Sequence, residues 1–310
     1  MEFDQSSRHI EDRAVAAYLG LAIGDALGAT VEFLTPNEIR YHHEVHKDIV
    51  GGGWLKLKRG SVTDDTTMAL ALGNAILARE GRVEADAVAR ALDDWMRGKP
   101  VDIGNTVRRN LIAFRHSGIP KAQPSEHDAG NGAAMRVLPA ALATVGLTEM
   151  ETACAVRAQG HVTHNNALSD AASLTLCLLV QDMLGGITDR EMLKDRAQGL
   201  IHAHPVFDDR NKRRDNPSGY IVETMQAVFQ AYFGTDSFED CLVDVVNRGG
   251  DADTTGAIAG MLAGARYGLS AIPPRWLKAL DPKAREACET QARALMRTNA
   301  RLRVGPTMLS

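Results

Sequence analysis

Apolar residues recur at the helical spacing of three and four along almost the whole chain. Val15, Leu19, Ala22, Ile23, Ala26 and Leu27 form one stripe, and Val88, Ala91, Leu92 and Trp95 form a second. Ile221, Met225, Val228, Phe229 and Tyr232 make a third, while Ile258, Leu262 and Ala265 belong to a fourth. Strand-like alternation is missing; Ile49-Val50 ahead of three glycines is too short to count. Start signals fit the same elements. Thr35-Pro36-Asn37-Glu38 joins an N-cap hydroxyl, a first-turn proline and a capping-box glutamate. Thr148…Glu151 and Thr188…Glu191 repeat the spacing, and Asp281-Pro282 opens a last long helix. The pattern predicts an all-α chain of about a dozen helices.

Gly20, Gly24 and Gly28 fall four apart on the first helix and leave a strip without side chains. Glycine weakens a helix, so such a strip points to close packing of two backbones. Irregular stretches cover residues 98–104, 117–132 and 207–219. The last holds Asp208, Asp209, Arg210, Lys212, Arg213, Arg214 and Asp215. Mixed signs at that density mean a solvated loop or, more sharply, a patch for a docking partner. No Pro- or Ser-rich linker divides the chain, so residues 1–310 are expected to form one domain, a compact orthogonal helical bundle.

Composition narrows the function. A chain with 45% hydrophobic and 24% charged residues builds a core and is not mainly disordered. A net charge of -4 and a pI near 6.2 disfavour a general nucleic-acid binder. Aromatic residues make up only 5%, which fits helices packed closely through Ala, Gly and Leu. The first seven residues are acidic and polar, whereas a secretory signal needs a basic start and ~7–15 apolar residues. No uninterrupted apolar run approaches the ~20 residues that span a bilayer. Cys154, Cys177, Cys241 and Cys288 lie far apart without a Cys-x-x-Cys pair, which argues against structural zinc and a disulfide framework. Buried, reduced thiols in a cytoplasmic chain are the expectation.

Two segments place acids and threonines at helix starts. The first is Gly60-Ser61-Val62-Thr63-Asp64-Asp65-Thr66-Thr67, ahead of Met68, Leu72 and Ile76. The second is Asn247-Arg248-Gly249-Gly250-Asp251-Ala252-Asp253-Thr254-Thr255-Gly256, ahead of Ile258. Either alone could be an N-cap complementing the helix dipole. Together they carry four aspartates, more than two caps require, and these would repel one another if brought close. A divalent cation removes that cost, and an all-oxygen ligand set suits Mg²⁺ or Mn²⁺. Four carboxylates with Thr63 and Thr254 could hold two ions ~3.5–4 Å apart, as in metal-assisted hydrolysis. An EF-hand does not fit, because Leu262 stands where its calcium loop needs glutamate. There is no Walker loop at Gly98-Lys99-Pro100, no Gly-x-Ser-x-Gly elbow and no His-Glu-x-x-His pair.

These segments, taken with others, resemble the ADP-ribosylglycohydrolase family. The likeness runs from Gly20-Leu21-Ala22-Ile23-Gly24-Asp25-Ala26-Leu27-Gly28 and Val31-Glu32-Phe33 to Thr63-Asp64-Asp65-Thr66. It continues through Gly130-Asn131-Gly132-Ala133-Ala134-Met135-Arg136 and Thr163-His164 to Gly249-Gly250-Asp251-Ala252-Asp253-Thr254, within residues 14–268. Residues 101–109 and 247–268 resemble, in particular, bacterial members that reactivate nitrogenase iron protein (dinitrogenase reductase).

The resemblance implies an all-α domain around a binuclear Mn²⁺ centre, Mg²⁺ being the alternative. It implies hydrolysis of the N-glycosidic bond between ADP-ribose and a protein arginine. Thr63, Asp64, Asp65, Asp251, Asp253 and Thr254 fall at the family's metal positions. Glu32 matches its acid/base and is otherwise a solvent-facing carboxylate at a helix exit. Asp102 is expected to pair with the substrate guanidinium, or else to cap a turn. Gly104, Asn131, Gly132 and His164 are expected to contact ADP-ribose; Asn131 and Gly132 otherwise make a turn, and His164 is otherwise structural. Asp25 either supports the metal shell or caps a neighbouring helix. The resemblance further implies a monomer regulated by a PII-type signalling protein and recruited reversibly to a membrane ammonium channel. Two other readings stay open: hydrolysis of another ADP-ribose linkage, and non-catalytic ADP-ribose binding.

Overall fold

The computed structural model describes residues 2–299; Met1 and residues 300–310, the two ends of the expected domain, lie outside the described residues. The elements in chain order begin with α1 (Glu2–Gly28), α2 (Pro36–His43), α3 (Asp64–Ala78), α4 (Ala85–Arg97) and α5 (Asn105–Ser117). They continue with α6 (Leu138–Ala143), α7 (Glu149–Gly160), α8 (Ala167–Leu184), α9 (Arg190–Ala203) and α10 (Ile221–Gly234). The last are α11 (Phe238–Val246), α12 (Ala252–Tyr267), α13 (Pro274–Ala279) and α14 (Pro282–Thr298). The described residues thus hold fourteen α-helices and two single 3₁₀ turns, with isolated bridges but no strand. The all-α expectation holds.

Caps explain where several helices begin. Thr35 and Thr148 each close a reciprocal capping box with Glu38 and Glu151, as their spacing predicts. Asp281 accepts from the Lys283 and Ala284 amides at the start of α14, with Pro282 in its first turn. The third predicted box is displaced by one residue. Asp189, not Thr188, caps α9 by accepting from the Glu191 and Met192 amides.

At the centre, α1 and α12 run antiparallel in backbone contact. A Cβ on Gly20, Gly24 or Gly28 would lie 2.0, 1.9 or 2.1 Å from the carbonyl oxygen of Gly260, Gly256 or Ala252. The relation is mutual, since a Cβ on Gly264 would meet the Ala16 oxygen at 2.1 Å. Every residue from 14 to 32 and from 252 to 265 is buried. The antiparallel register sets the end of α1 beside the beginning of α12, and the site lies there.

One expectation needs correction. Cys154 is exposed, while Cys177, Cys241 and Cys288 are buried free thiols. The 18 residues of α8 are long and apolar enough by composition to cross a bilayer, although 56% of the helix is buried against its neighbours. A search for uninterrupted apolar runs passes over it because Ser169, Asp170 and Ser173 break the run. The charged loop at 208–215 is mostly exposed, as a solvated loop should be, and its charges are partly paired within the molecule. Arg213 pairs with Asp215 and Asp244, Arg214 with Glu223, and Gln230 bonds Asp209, Lys212 and Arg214.

Candidate active site

The turn leaving α1 is tied to the loop that enters α12. Phe33 N–H donates to the Gly250 carbonyl at 2.7 Å, and Gly250 N–H donates to Leu34 at 3.0 Å. Gly249 and Gly250 have φ of 71° and 64°, and a Cβ on either would lie 2.1 Å from a carbonyl oxygen. Only glycine permits that approach. The clamp holds Glu32 against α12, and one carboxylate oxygen each of Glu32, Asp251 and Asp253 lies within 4.8 Å of the others. Glu32 is 5% exposed, so it is no solvent-facing carboxylate.

The start of α3 supplies the opposing acids. Asp25, from inside α1, accepts from the Thr63 amide at 3.0 Å and the Thr66 amide at 3.1 Å. Asp25 therefore caps α3, and the Thr63 hydroxyl is released from capping. That hydroxyl instead reaches Asp65 Oδ2 at 3.4 Å and Asp253 Oδ2 at 3.5 Å. Thr254 Oγ1 donates to the same Asp65 oxygen at 3.3 Å. The two acid-rich segments converge.

Electrostatics are severe there. Burial, reinforced by neighbouring carboxylates, raises Glu32 to about 8 and Asp64 to about 7. Burial alone raises Asp25 to about 6, against the hydrogen bonds it accepts. Asp65, Asp251 and Asp253 are also pushed up, first by burial. Among the described residues no lysine or arginine forms an ion pair with any of the six. Asp65 Oδ1 is buried without a hydrogen-bond partner. An orphaned carboxylate oxygen in an all-oxygen cluster fits a hard divalent cation.

The cluster floors a cavity of about 500 Å³. Asp102 and Gly104 form one wall, and the Gly104 amide bonds Asp64. Asp102 Oδ1 accepts from the Ile103 amide at 2.8 Å. Asn131 stands on another side, with Nδ2 donating to Asp251 Oδ2 at 2.6 Å and to Thr224 Oγ1 at 3.0 Å. Gly132 and His164 complete that wall. Thr63 and Asp65 lie just behind the lining, fully buried.

Comparison with known proteins decides the family. A profile described as ADP-ribosylglycohydrolase matches residues 6–303. The chain belongs to the ADP-ribosylglycohydrolase family. It is 50% identical over 269 residues to the ADP-ribosyl-[dinitrogen reductase] glycohydrolase of Rhodospirillum rubrum, covering 86% of this chain and 90% of that protein. It is 34% identical over 282 residues to ADP-ribosylarginine hydrolase Tri1 of Pseudomonas putida (strain GB-1), covering 86% and 73%. A solved structure titled ADP-ribosylglycohydrolase-related protein complex superposes with a TM-score of 0.83 at 34% identity, covering 94% of this chain and 99% of that one.

As an ADP-ribosylglycohydrolase the chain is a glycosidic hydrolase, and its acid cluster is the candidate metal site of that chemistry. Among the cavity-lining residues that sequence reasoning missed, Phe33 and Trp54 stand beside Glu32. Trp54 Nε1–H donates to Glu32 Oε2 at 2.6 Å, and its ring lies 5.5 Å from that of Phe33. A signal was present in Gly51-Gly52-Gly53-Trp54, three glycines leading into one of only three tryptophans. All three glycines have positive φ, which returns the chain toward the exit of α1.

Proposed function

We propose that this chain hydrolyses the N-glycosidic bond between ADP-ribose and a protein arginine, with ADP-ribosylated dinitrogenase reductase as substrate. The observation that carries the reading is the meeting of Glu32, Asp251 and Asp253 opposite Asp64 and Asp65 beneath one cavity. It is supported by 50% identity to a relative whose name states that substrate. Thr63, Asp64, Asp65, Asp251, Asp253 and Thr254 would hold two Mn²⁺ ions, with Mg²⁺ the alternative. When bound, the ions supply Lewis-acid polarisation and a nucleophilic water at neutral pH.

The side chains divide the remaining work. Asn131 and Thr224 orient Asp251 through the amide that bonds both. Glu32, with Oε2 held by Trp54, gives or takes the proton at Oε1. Asp102 pairs with the guanidinium of the modified arginine and aligns it as leaving group. Gly104, Asn131, Gly132 and His164 bind the ADP-ribose body along the cavity walls.

The test is release of ADP-ribose from arginine-modified dinitrogenase reductase, with a serine-linked substrate in parallel. Release from arginine is expected, lost on chelation and in Asp251→Ala. Undiminished release after thorough chelation would sink the metal assignment, and release from serine alone would sink the linkage. Tight ADP-ribose binding without turnover on either substrate would leave a binding protein. In the same reading the chain is a cytoplasmic, single-domain monomer that a PII-type protein draws reversibly to a membrane ammonium channel. The likeness of residues 101–109 and 247–268 supports that part, and co-purification with each partner tests it.

A further inference from the structure

We propose that Arg136 and Thr163 are positioning residues that fix the His164 imidazole as its Nε2–H tautomer, a neutral hydrogen-bond donor facing the cavity. His164 lines the cavity, whereas Arg136 and Thr163 are fully buried behind it. The Arg136 guanidinium donates through Nη2 to Thr163 Oγ1 at 2.8 Å and the Gln159 carbonyl at 2.9 Å. Its Nε donates to Gln159 Oε1 at 3.0 Å and its Nη1 to the Gly132 carbonyl at 3.1 Å. Guanidinium has no acceptor, so Thr163 Oγ1 can only receive from it.

That oxygen lies 2.8 Å from His164 Nδ1, its other hydrogen-bond partner among the described residues. The hydroxyl carries one proton. If Nδ1 were the donor, a buried O–H would have nowhere to point, which costs more than an exchanged bond. The hydroxyl therefore donates to Nδ1, and the imidazole proton resides on Nε2. The geometry is pinned from both sides. Asn110 Nδ2 donates to the Thr163 carbonyl at 2.6 Å, and His164 N–H donates to Gly160 at 2.7 Å.

The ring also stays uncharged. Burial, with Arg136 and Arg109 as the charged neighbours, lowers His164 to about 3. The Nε2 edge passes over a gap left by two glycines. A Cβ on Gly130 would lie 3.0 Å from Nε2, and one on Gly132 would lie 2.8 Å from Cε1. A neutral N–H suits an oxygen acceptor on the ligand, phosphoryl or hydroxyl. The ligand's identity rests on the ADP-ribose reading above; the tautomer does not.

Nitrogen-15 NMR of the ring-labelled full chain tests this, the His164 signals being identified among the ten histidines by loss in His164→Gln. The expected spectrum has an unprotonated Nδ1 and a protonated Nε2, unchanged from about pH 5 to 8. Thr163→Val should move both signals toward a mixture of tautomers and weaken ADP-ribose binding about tenfold by calorimetry, with Thr163→Ser restoring both. Arg136→Lys should move the same signals, since one ammonium cannot replace the fork. A protonated Nδ1 in the unsubstituted protein overturns the proposal, and that measurement needs no variant to fold other than the one used for assignment. An unchanged spectrum in folded Thr163→Val also overturns it. The expected spectrum without any ADP-ribose binding counts against the pocket reading and leaves the tautomer standing.

Discussion

Trp54 donates its indole N–H to Glu32 Oε2 at 2.6 Å, joining an aromatic residue at the cavity mouth to a carboxylate in its floor. An indole can only donate, so Oε2 is held as an acceptor and any proton on Glu32 belongs to Oε1. Trp54→Phe keeps a ring beside Phe33 and deletes the donor. A hydrogen bond contributes ~0.5–1.5 kcal/mol to a neutral carboxyl and ~1.5–3 kcal/mol to an ionised one, so kcat should fall about threefold or more, and further where Glu32 is ionised. Melting temperature should change little, because Trp54 is 52% exposed. Steady-state kinetics decide: an unchanged kcat with raised KM would make the indole a docking group only.

The raised carboxyls make stability depend on pH with a definite sign. Glu32 rises to about 8, Asp64 to about 7 and Asp25 to about 6 on folding. Between their unfolded values near 4 and these, the native state binds more protons than the unfolded state. Stability of the metal-free protein therefore falls as pH rises from about 4.5 to 8, each group adding a slope of up to ~1.4 kcal/mol per unit. Calorimetric melting of chelated protein across that range measures it. Added Mn²⁺ should stabilise more at pH 8 than at pH 5, because its ligands must be deprotonated. Asp64→Asn should flatten the slope below pH 7, and an upward slope in metal-free protein would contradict the account.

Much of this site is legible because its chemistry is dense in the sequence. Acids at two helix starts exceed what caps need, and Thr63, Asp65, Asp253 and Thr254 do meet. What pattern reading cannot supply is the partner in three dimensions. Gly20, Gly24 and Gly28 announce a close approach but do not name Gly260, Gly256 and Ala252 as the surface met. Asp25 could support the metal shell or cap a neighbouring helix, and the cap becomes visible only once Thr63 and Thr66 are placed against it. Trp54 reaches Glu32 by way of three successive glycines with positive φ, which leave no hydrophobic period to read. The Thr188 error is of another kind: two adjacent residues can both cap, and the carboxylate wins over the hydroxyl.

That competition is measurable. Asp189→Ala removes the acceptor for the Glu191 and Met192 amides and should cost about 1 kcal/mol. Thr188→Ala touches neither amide and should change stability by under ~0.5 kcal/mol. Urea unfolding of both variants compares them, and a larger loss in Thr188→Ala would return the cap to the threonine.

The glycine interface gives the sharpest stability contrast. At Gly24 an added Cβ would stand 1.9 Å from the Gly256 oxygen and 2.8 Å from the Ala257 nitrogen, backbone on both counts. No side-chain rotation relieves that, so α1 and α12 must separate. Overpacking alone costs ~1–3 kcal/mol, and separating two buried helices places Gly24→Ala at or above the top of that range. Gly199, in α9, has nothing within 4 Å of the same position. Gly199→Ala should therefore stabilise by ~0.4–1 kcal/mol through helix propensity and a less flexible unfolded chain. The two effects differ in a second way. Separation of α1 from α12 pulls Glu32 away from Asp251 and Asp253, so Gly24→Ala should lose divalent-metal affinity even where it remains folded. Isothermal titration with Mn²⁺ checks this below the melting transition. Unaltered affinity in Gly24→Ala would mean that the backbone clamp at Phe33 and Gly250 holds the cluster without help from the helix pair.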